Sequence, residues 1–445
     1  MPSAPRRTRQ RRNRRLMLES LESRQLLASF TVTNTNDSGA GSLRQAVLDA
    51  NGNGQSDTIN FDLPAGSTIT VTSEIDVSAS VSINGPGADQ LTISGGNATR
   101  VFNFGGAEAN EYTIDGLTIA DGNGAGVSPG FGGAIFFADI DDTLDIRRSV
   151  IRDSQAITDA EQGGGLSAAF GTLNISDSAI INNQAILGGG VDLQNVTASL
   201  TNVTVSGNTA MTAAGGIQHS ATGTNATSHL TLINSTIANN TGPFGSGLRN
   251  GSFNGAVGAT AEYMNTIFAD NDGSNNIVNV NNGGTGAEVV SLGYNLSDDA
   301  SGGLNQVGDL DAEDADLGPL GVYGGTTPVH VLGDDSPALD AGQPGGAFND
   351  QRGFQRDDAG VDLGAAEGTI DAIGVNFVGG GAGSAGSAVT GIAGITPQDH
   401  WNNVADNGTA STGGAETGAQ QDLLDDQGIV TTADDAGRRP VPPTT

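Results

Sequence analysis

Six windows of this chain repeat one another: YTIDGLTIADGN from Tyr112, LDIRRSVIRDSQ from Leu144, LNISDSAIINNQ from Leu173, ASLTNVTVSGNT from Ala198, LTLINSTIANNT from Leu230 and AEYMNTIFADND from Ala261. Their equivalent apolar positions are read as Ile119, Ile151, Ile181, Val205, Ile237 and Phe268, spaced 32, 30, 24, 32 and 31 residues apart. A glycine-led register follows the first five, ending at Ile135, Leu166, Val191, Ile217 and Leu248. Such self-similarity constrains the fold more than local propensity does. Each unit holds two or three short strands of alternating apolar and polar residues, with too little apolar face to be stable alone, so the units must stack. The reading is an all-β fold: a single-stranded right-handed parallel β-helix, with Ile, Leu and Val pointing inward.

Asparagine and glycine fall between the strands, where left-handed or crowded backbone is needed. Asn183, Asn208, Asn240 and Asn271 share one corner. Stacked about 4.8 Å apart, their amides are expected to bond up the stack as a ladder. Asp121 and Asp153 are read as occupying the same place in earlier coils.

The ends of such a stack need covers, because open strand edges invite aggregation. GSLRQAVLDANGNG supplies one short amphipathic helix: Ser42 and Gln45 as an S-x-x-Q capping box, Leu43, Ala46, Val47 and Ala50 at helical spacing, and Gly52 as the stop.

Charge restricts the partners. The chain has no lysine, and eight of its 18 arginines lie in residues 1–28. Residues 29–445 hold 10 arginines against 48 acids, a net charge of −38. A body of that charge repels nucleic acid and anionic membranes and attracts cations. Without cysteine there is no disulfide, thiol catalysis or Cys-type zinc site. No apolar run is long enough for a transmembrane helix. The arginine-rich start, RRTRQRRNRRLMLESLESRQLLA, lacks the continuous apolar segment of a standard secretory signal.

Three segments carry a resemblance. LESLESRQLLA resembles an N-terminal motif of large exported planctomycete proteins, which implies export. FTVTNTNDSGAGSLRQAVLDAN resembles the CSLREA-type segment, with Ser42, Leu43, Arg44 and Gln45 matching and Gly41 replacing its cysteine. Residues 317–367 resemble the choice-of-anchor Q segment, matched by Ser336, Pro337, Asp340, Gly342, Asp350, Gln351, Arg352, Gly353, Arg356, Asp362, Gly364 and Glu367. Pieces such as Gly132 to Ile135 and Phe268 to Asn271 are similar to polymorphic outer-membrane-protein repeats. The resemblance implies a secreted or surface-attached parallel β-helix, extracellular or on a bacterial cell surface.

The domain reading is a basic export segment over 1–28, an N-terminal cap and first coils over 29–110, repeats over 111–300, and a C-terminal cap over 301–368. Residues 369–445 are read as a Gly/Ala-rich small β unit or a disordered acidic tail.

No metalloprotease, nucleophile-elbow or phosphate-loop pattern occurs. The densest charge cluster is ADIDDTLDIRRSVIRD, where Asp145 and Arg147 point outward near Asp139, Asp141 and Asp142. It could serve a calcium-assisted uronate site or form a solvated, salt-bridged face. Asp49, Asn51, Asn53 and Gly54 imitate a calcium loop, but Asn60 stands where the bidentate glutamate is needed. Seven acids and no arginine lie between Asp298 and Asp316. Asp340, Asp350, Arg352, Arg356 and Asp362 are read as an ion network of the cap. His219, His229, His330 and His400 lack metal-ligand spacing.

The function expected is a secreted or cell-surface, adhesin-like structural β-helix contacting cell envelope or extracellular polysaccharide. No catalytic, cofactor-binding or metal-ligating residue is assigned, and calcium is the one cofactor left open. The alternative is a calcium-assisted polysaccharide lyase or a glycoside hydrolase acting on an acidic polysaccharide, with paired carboxylates. Nothing in the residues fixes the oligomeric state.

Overall fold

Ile83 lies in register with Ile59 before it and Ile114 after it, and the column continues through Ile146, Ile175, Leu200, Leu232 and Tyr263. All eight side chains are buried in the computed structural model. An 18-stranded sheet wraps two faces of the stack and an 8-stranded sheet forms the third, with parallel pairing from coil to coil. The chain is therefore the parallel β-helix expected from its repeats. Described are residues 28–368 apart from 108, 126, 128–129, 159–161, 345–346 and 357–359, together with the backbone of short strands between Val375 and Thr432. The basic segment, most of the tail and His400 lie outside the described residues.

The second face corrects the repeat alignment by one residue. Ile119 pairs with Ile151, but the next position is Ile180 rather than Ile181, followed by Val205, Ile237 and Phe268. The six coils turn at the same place through a left-handed residue, Gly116, Arg148, Asp177, Asn202, Asn234 and Asn265, so the alternation runs alike in each and Ile180 is the isoleucine in phase with Ile151. Ile181, next to it in the strand Thr172–Ile181, points outward and packs with Val150, Ala179 and Leu320.

On the third face Ile135, Leu166, Val191, Ile217 and Leu248 stack as expected, extended at the ends by Phe102 and Ile277. The columns form one continuous buried core. Each fully buried aliphatic side chain contributes about 1.5–3 kcal/mol relative to exposure.

The asparagine corner is a ladder. Asn183 donates from Nδ2 to Asn208 Oδ1 at 3.1 Å, Asn208 to Asn240 at 2.9 Å, and Asn240 to Asn271 at 3.0 Å. The same oxygens accept the backbone N–H of the preceding rung's asparagine at 2.9–3.0 Å. Asp121 and Asp153 are not in this row. They precede it by one residue, in the left-handed position also used by Asn182 and Asn239. Ser154 occupies the ladder position of its coil, its Oγ accepting from Gly122 N and its N–H donating to Asn183 Oδ1.

The helix Leu43–Asn51 buries Leu43, Ala46, Val47 and Ala50, as its spacing predicts. Ser42 Oγ accepts from Gln45 N at 3.2 Å, but the reciprocal half of the capping box is missing, because Gln45 Nε2 donates to Asp49 Oδ1 instead. Asn51 seals the third sheet's first edge: Nδ2 donates to Asp76 O and Oδ1 accepts from Ser78 N.

Residues 315–368 turn back and lie along the second face. Leu332, Ala338 and Leu363 pack with outward-facing Ile267 and Ala269. Polar bonds tie this return segment to successive coils. Thr327 reaches Asp177 O, Gln351 reaches Thr204, His330 reaches Ser206, and Gln343 reaches Asn265.

Candidate functional site

The cluster between Asp139 and Arg152 does not converge. Arg147 pairs with Asp145 at 2.5 Å on the open first face, where Asn174 also donates to Asp145. One residue later the backbone turns at Arg148, φ 45°, which sends that side chain around the corner to Asp115. Arg152 pairs with Asp153 on the second face. Asp142 points inward and is buried, accepting from Asn110 N at 2.7 Å and Tyr112 Oη at 3.2 Å. Burial pushes its carboxyl above the usual carboxylate range. Catalysis by a carboxylate pair needs two groups aimed at one point; these aim at different faces.

The calcium-loop imitation is a helix stop and turn. Asn53 Oδ1 accepts from Gln55 N, and Asn53 Nδ2 donates to Asp57. The acids after Asp298 finish the stack. Asp298 accepts from Asp270 N, Asp299 from Asn276 N and Asp309 from Asn295 N, at 2.6–3.0 Å. These N–H groups belong to the last coils, where no further full rung receives them, and an orphaned donor is costly. Among the described residues no three His, Asp or Glu side chains converge as a metal site.

Arg352 pairs with Asp350 at 2.6 Å and Arg356 with Glu367 at 3.1 Å. Asp362 joins them, accepting from Asp340 N while its own N–H donates to Glu367. Arg356 is 4% exposed and also donates to Asn202 Oδ1, so the network fastens the return segment to the coils.

His219 lies inside the coil in register with Leu193 and Asn250. Its Nδ1 meets Asn250 Oδ1 at 2.6 Å, Nε2 has no partner, and burial lowers its pKa to about 4. His330 bridges Ser206 and Gly318 O. Among the described histidines, His229 alone faces solvent at a depression.

That depression is a groove of about 420 Å³ on the corner between the third and first faces. It runs along the stack, because its lining comes from successive coils: Ile140, Phe170, Asn195, Thr197, His229 and Thr260 among them. Thr172, Thr197, His229 and Thr260 are in strict register beside it. Among the described residues no carboxylate lines it, although His229 Nε2 lies 3.5 Å from Glu262 and 3.2 Å from Thr231 Oγ1 at its edge. Phe170 is 41% exposed and takes the left-handed conformation at φ 66°, where the next coil's corner has Asn195 at φ 53°. Neither motif nor repeat spacing singles out Phe170 in the sequence. The signal available was position: Phe170 ends its strand where the following repeat has asparagine.

No family and no curated protein matches the chain by sequence. Among solved structures, that of Jun a 1, the major allergen from cedar pollen, is similar over 59% of this chain and 79% of its own, at 14% identity and a TM-score of 0.34. At that score the fold stands on its own strand register.

Proposed function

We propose that this chain is an exported cell-surface β-helix that makes structural or adhesive contact with envelope or extracellular polysaccharide and performs no catalysis. One observation carries the reading: ionic side chains that sequence grouped as candidate machinery are instead engaged in separate structural bonds, while the first face presents an open array of small polar groups. Thr172, Asn174 and Ser176 stand in register with Thr197, Ser199 and Thr201. The likeness of residues 30–51 to the CSLREA-type segment and of residues 317–367 to the choice-of-anchor Q segment supports export and surface display. The strongly acidic body leaves calcium as a bridging ion to include in any test.

The test is retention of the purified chain on cell-wall and secreted polysaccharides, with and without calcium, alongside an assay for released oligosaccharides or unsaturated uronates. Retention without cleavage is expected. Polymer cleavage by the purified chain overturns the non-catalytic reading, and failure to be retained on any of these polymers overturns the contact role.

A further inference from the structure

From the corner groove we infer a binding site for a neutral, extended polysaccharide, with Phe170 as its stacking platform and the row Thr172, Thr197, His229 and Thr260 as its polar rail. The inference deepens the surface-contact reading above and rests on it.

Three observations combine. The first is conformational. A bulky aromatic at φ 66° is an uncommon and unfavourable backbone state, and the chain uses asparagine for that state in the next coil, at Asn195. Strain of this kind persists where function requires the side chain. Phe170 is 41% exposed, so a large part of the ring is open to solvent rather than packed in the core.

The second is periodic. Thr172, Thr197, His229 and Thr260 occur once per coil in unbroken register. Adjacent parallel strands lie about 4.8 Å apart. That repeat is close to the length of one pyranose ring in an extended β-1,4-linked chain, so successive sugars can meet successive rungs. Hydroxyl and imidazole groups both donate and accept, matching sugar hydroxyls. A ring face of a sugar is apolar at its C–H groups and packs on an aromatic ring.

The third is electrostatic. The chain carries a net charge of −32; among the described residues no carboxylate lines the groove itself, while Glu262 lies 3.5 Å from His229 Nε2 and Glu288 follows Thr260 in the row. A polyanion would be repelled by these carboxylates and by the surrounding body. A neutral chain meets no such obstacle.

The experiment is titration of the full chain with cellohexaose, and separately with polygalacturonate with and without calcium, by calorimetry. Phe170→Asn removes the platform while placing a turn-compatible residue at φ 66°, so the variant keeps its fold. Thr197→Val removes one rail hydroxyl at near-constant shape. Cellohexaose is expected to bind the native chain, about tenfold more weakly to Phe170→Asn and a few-fold more weakly to Thr197→Val. Cellohexaose affinity unchanged in both variants, or a preference for polygalacturonate, overturns the groove assignment and leaves the surface-contact reading standing. No binding of either sugar also overturns the groove assignment, and wall-polymer retention then decides the broader reading separately.

Discussion

Asn208 donates from Nδ2 to Asn240 Oδ1 at 2.9 Å although 32 residues separate them in sequence. The same amide donates to Ile180 O, and its oxygen accepts two N–H groups from Asn183. Asn208 is 0% exposed, so no water replaces a lost partner. Truncation therefore leaves the buried Asn183 N–H without its acceptor, at about 1–3 kcal/mol, and removes the side-chain bonds to Asn183 Nδ2, Asn240 Oδ1 and Ile180 O as well. Asn208→Ala is expected to lower unfolding free energy by about 3 kcal/mol or more in a denaturant titration. A loss below about 1 kcal/mol would show that the ladder is not a stabilising element.

Arg356 makes the equivalent test for the return segment. It holds Glu367, Gly364 O and Asn202 Oδ1 from a buried position. Removing one partner of a buried ionic network costs on the order of 3–5 kcal/mol. Arg356→Ala is expected to open residues 315–368 to limited proteolysis while the coils before Asp177 stay protected. Equal protection of the segment in variant and native chain would contradict the fastening role.

Acid should weaken the stack through His219. Its folded pKa, about 4, lies below the ordinary value of 6.5, so the unfolded chain takes up the proton first. The contribution is intact above pH 6.5 and is lost as pH falls toward 4, by up to the order of 3 kcal/mol. His219→Asn, which continues the amide row begun by Asn250, is expected to flatten the stability profile over that window. A profile as steep as the native one would exonerate His219.

Asp192 acts in the opposite sense. Burial pushes its carboxyl up to about 7, opposed by a 3.3 Å hydrogen bond from Ser167 Oγ. Here the folded state holds the proton longer, so the contribution is present below the ordinary value of 3.8 and lost as pH rises through 7. Asp192→Asn keeps the shape and the acceptor. It is expected to raise stability at pH 8 by on the order of 2 kcal/mol and to change little near pH 4. Thermal unfolding at the two pH values separates these outcomes.

The repeats made the fold legible because apolar spacing and asparagine corners are both local signals. Two local ambiguities limited that legibility. Two adjacent isoleucines leave the inward residue of one rung open, and it is Ile180 rather than Ile181, while the left-handed corner at Arg148 splits a run of charges that reads as one cluster in sequence. The capping box looked complete because spacing does not reveal that Gln45 has Asp49 as a nearer partner. The return segment left no periodic trace, since its bonds to Asn202, Thr204 and Ser206 span 124 to 154 residues. The groove was legible only afterwards, through a phenylalanine standing where the neighbouring coil has asparagine.

The return segment also bears on how such a chain can change length during evolution. It touches the coils at Asp177, Asn202, Thr204, Ser206, Thr236 and Asn265, each contact set by a particular rung. Duplicating or deleting a rung inside that span would displace half the contacts by one step, so the coil number there is locked. Gains and losses of whole repeats should accumulate only outside it.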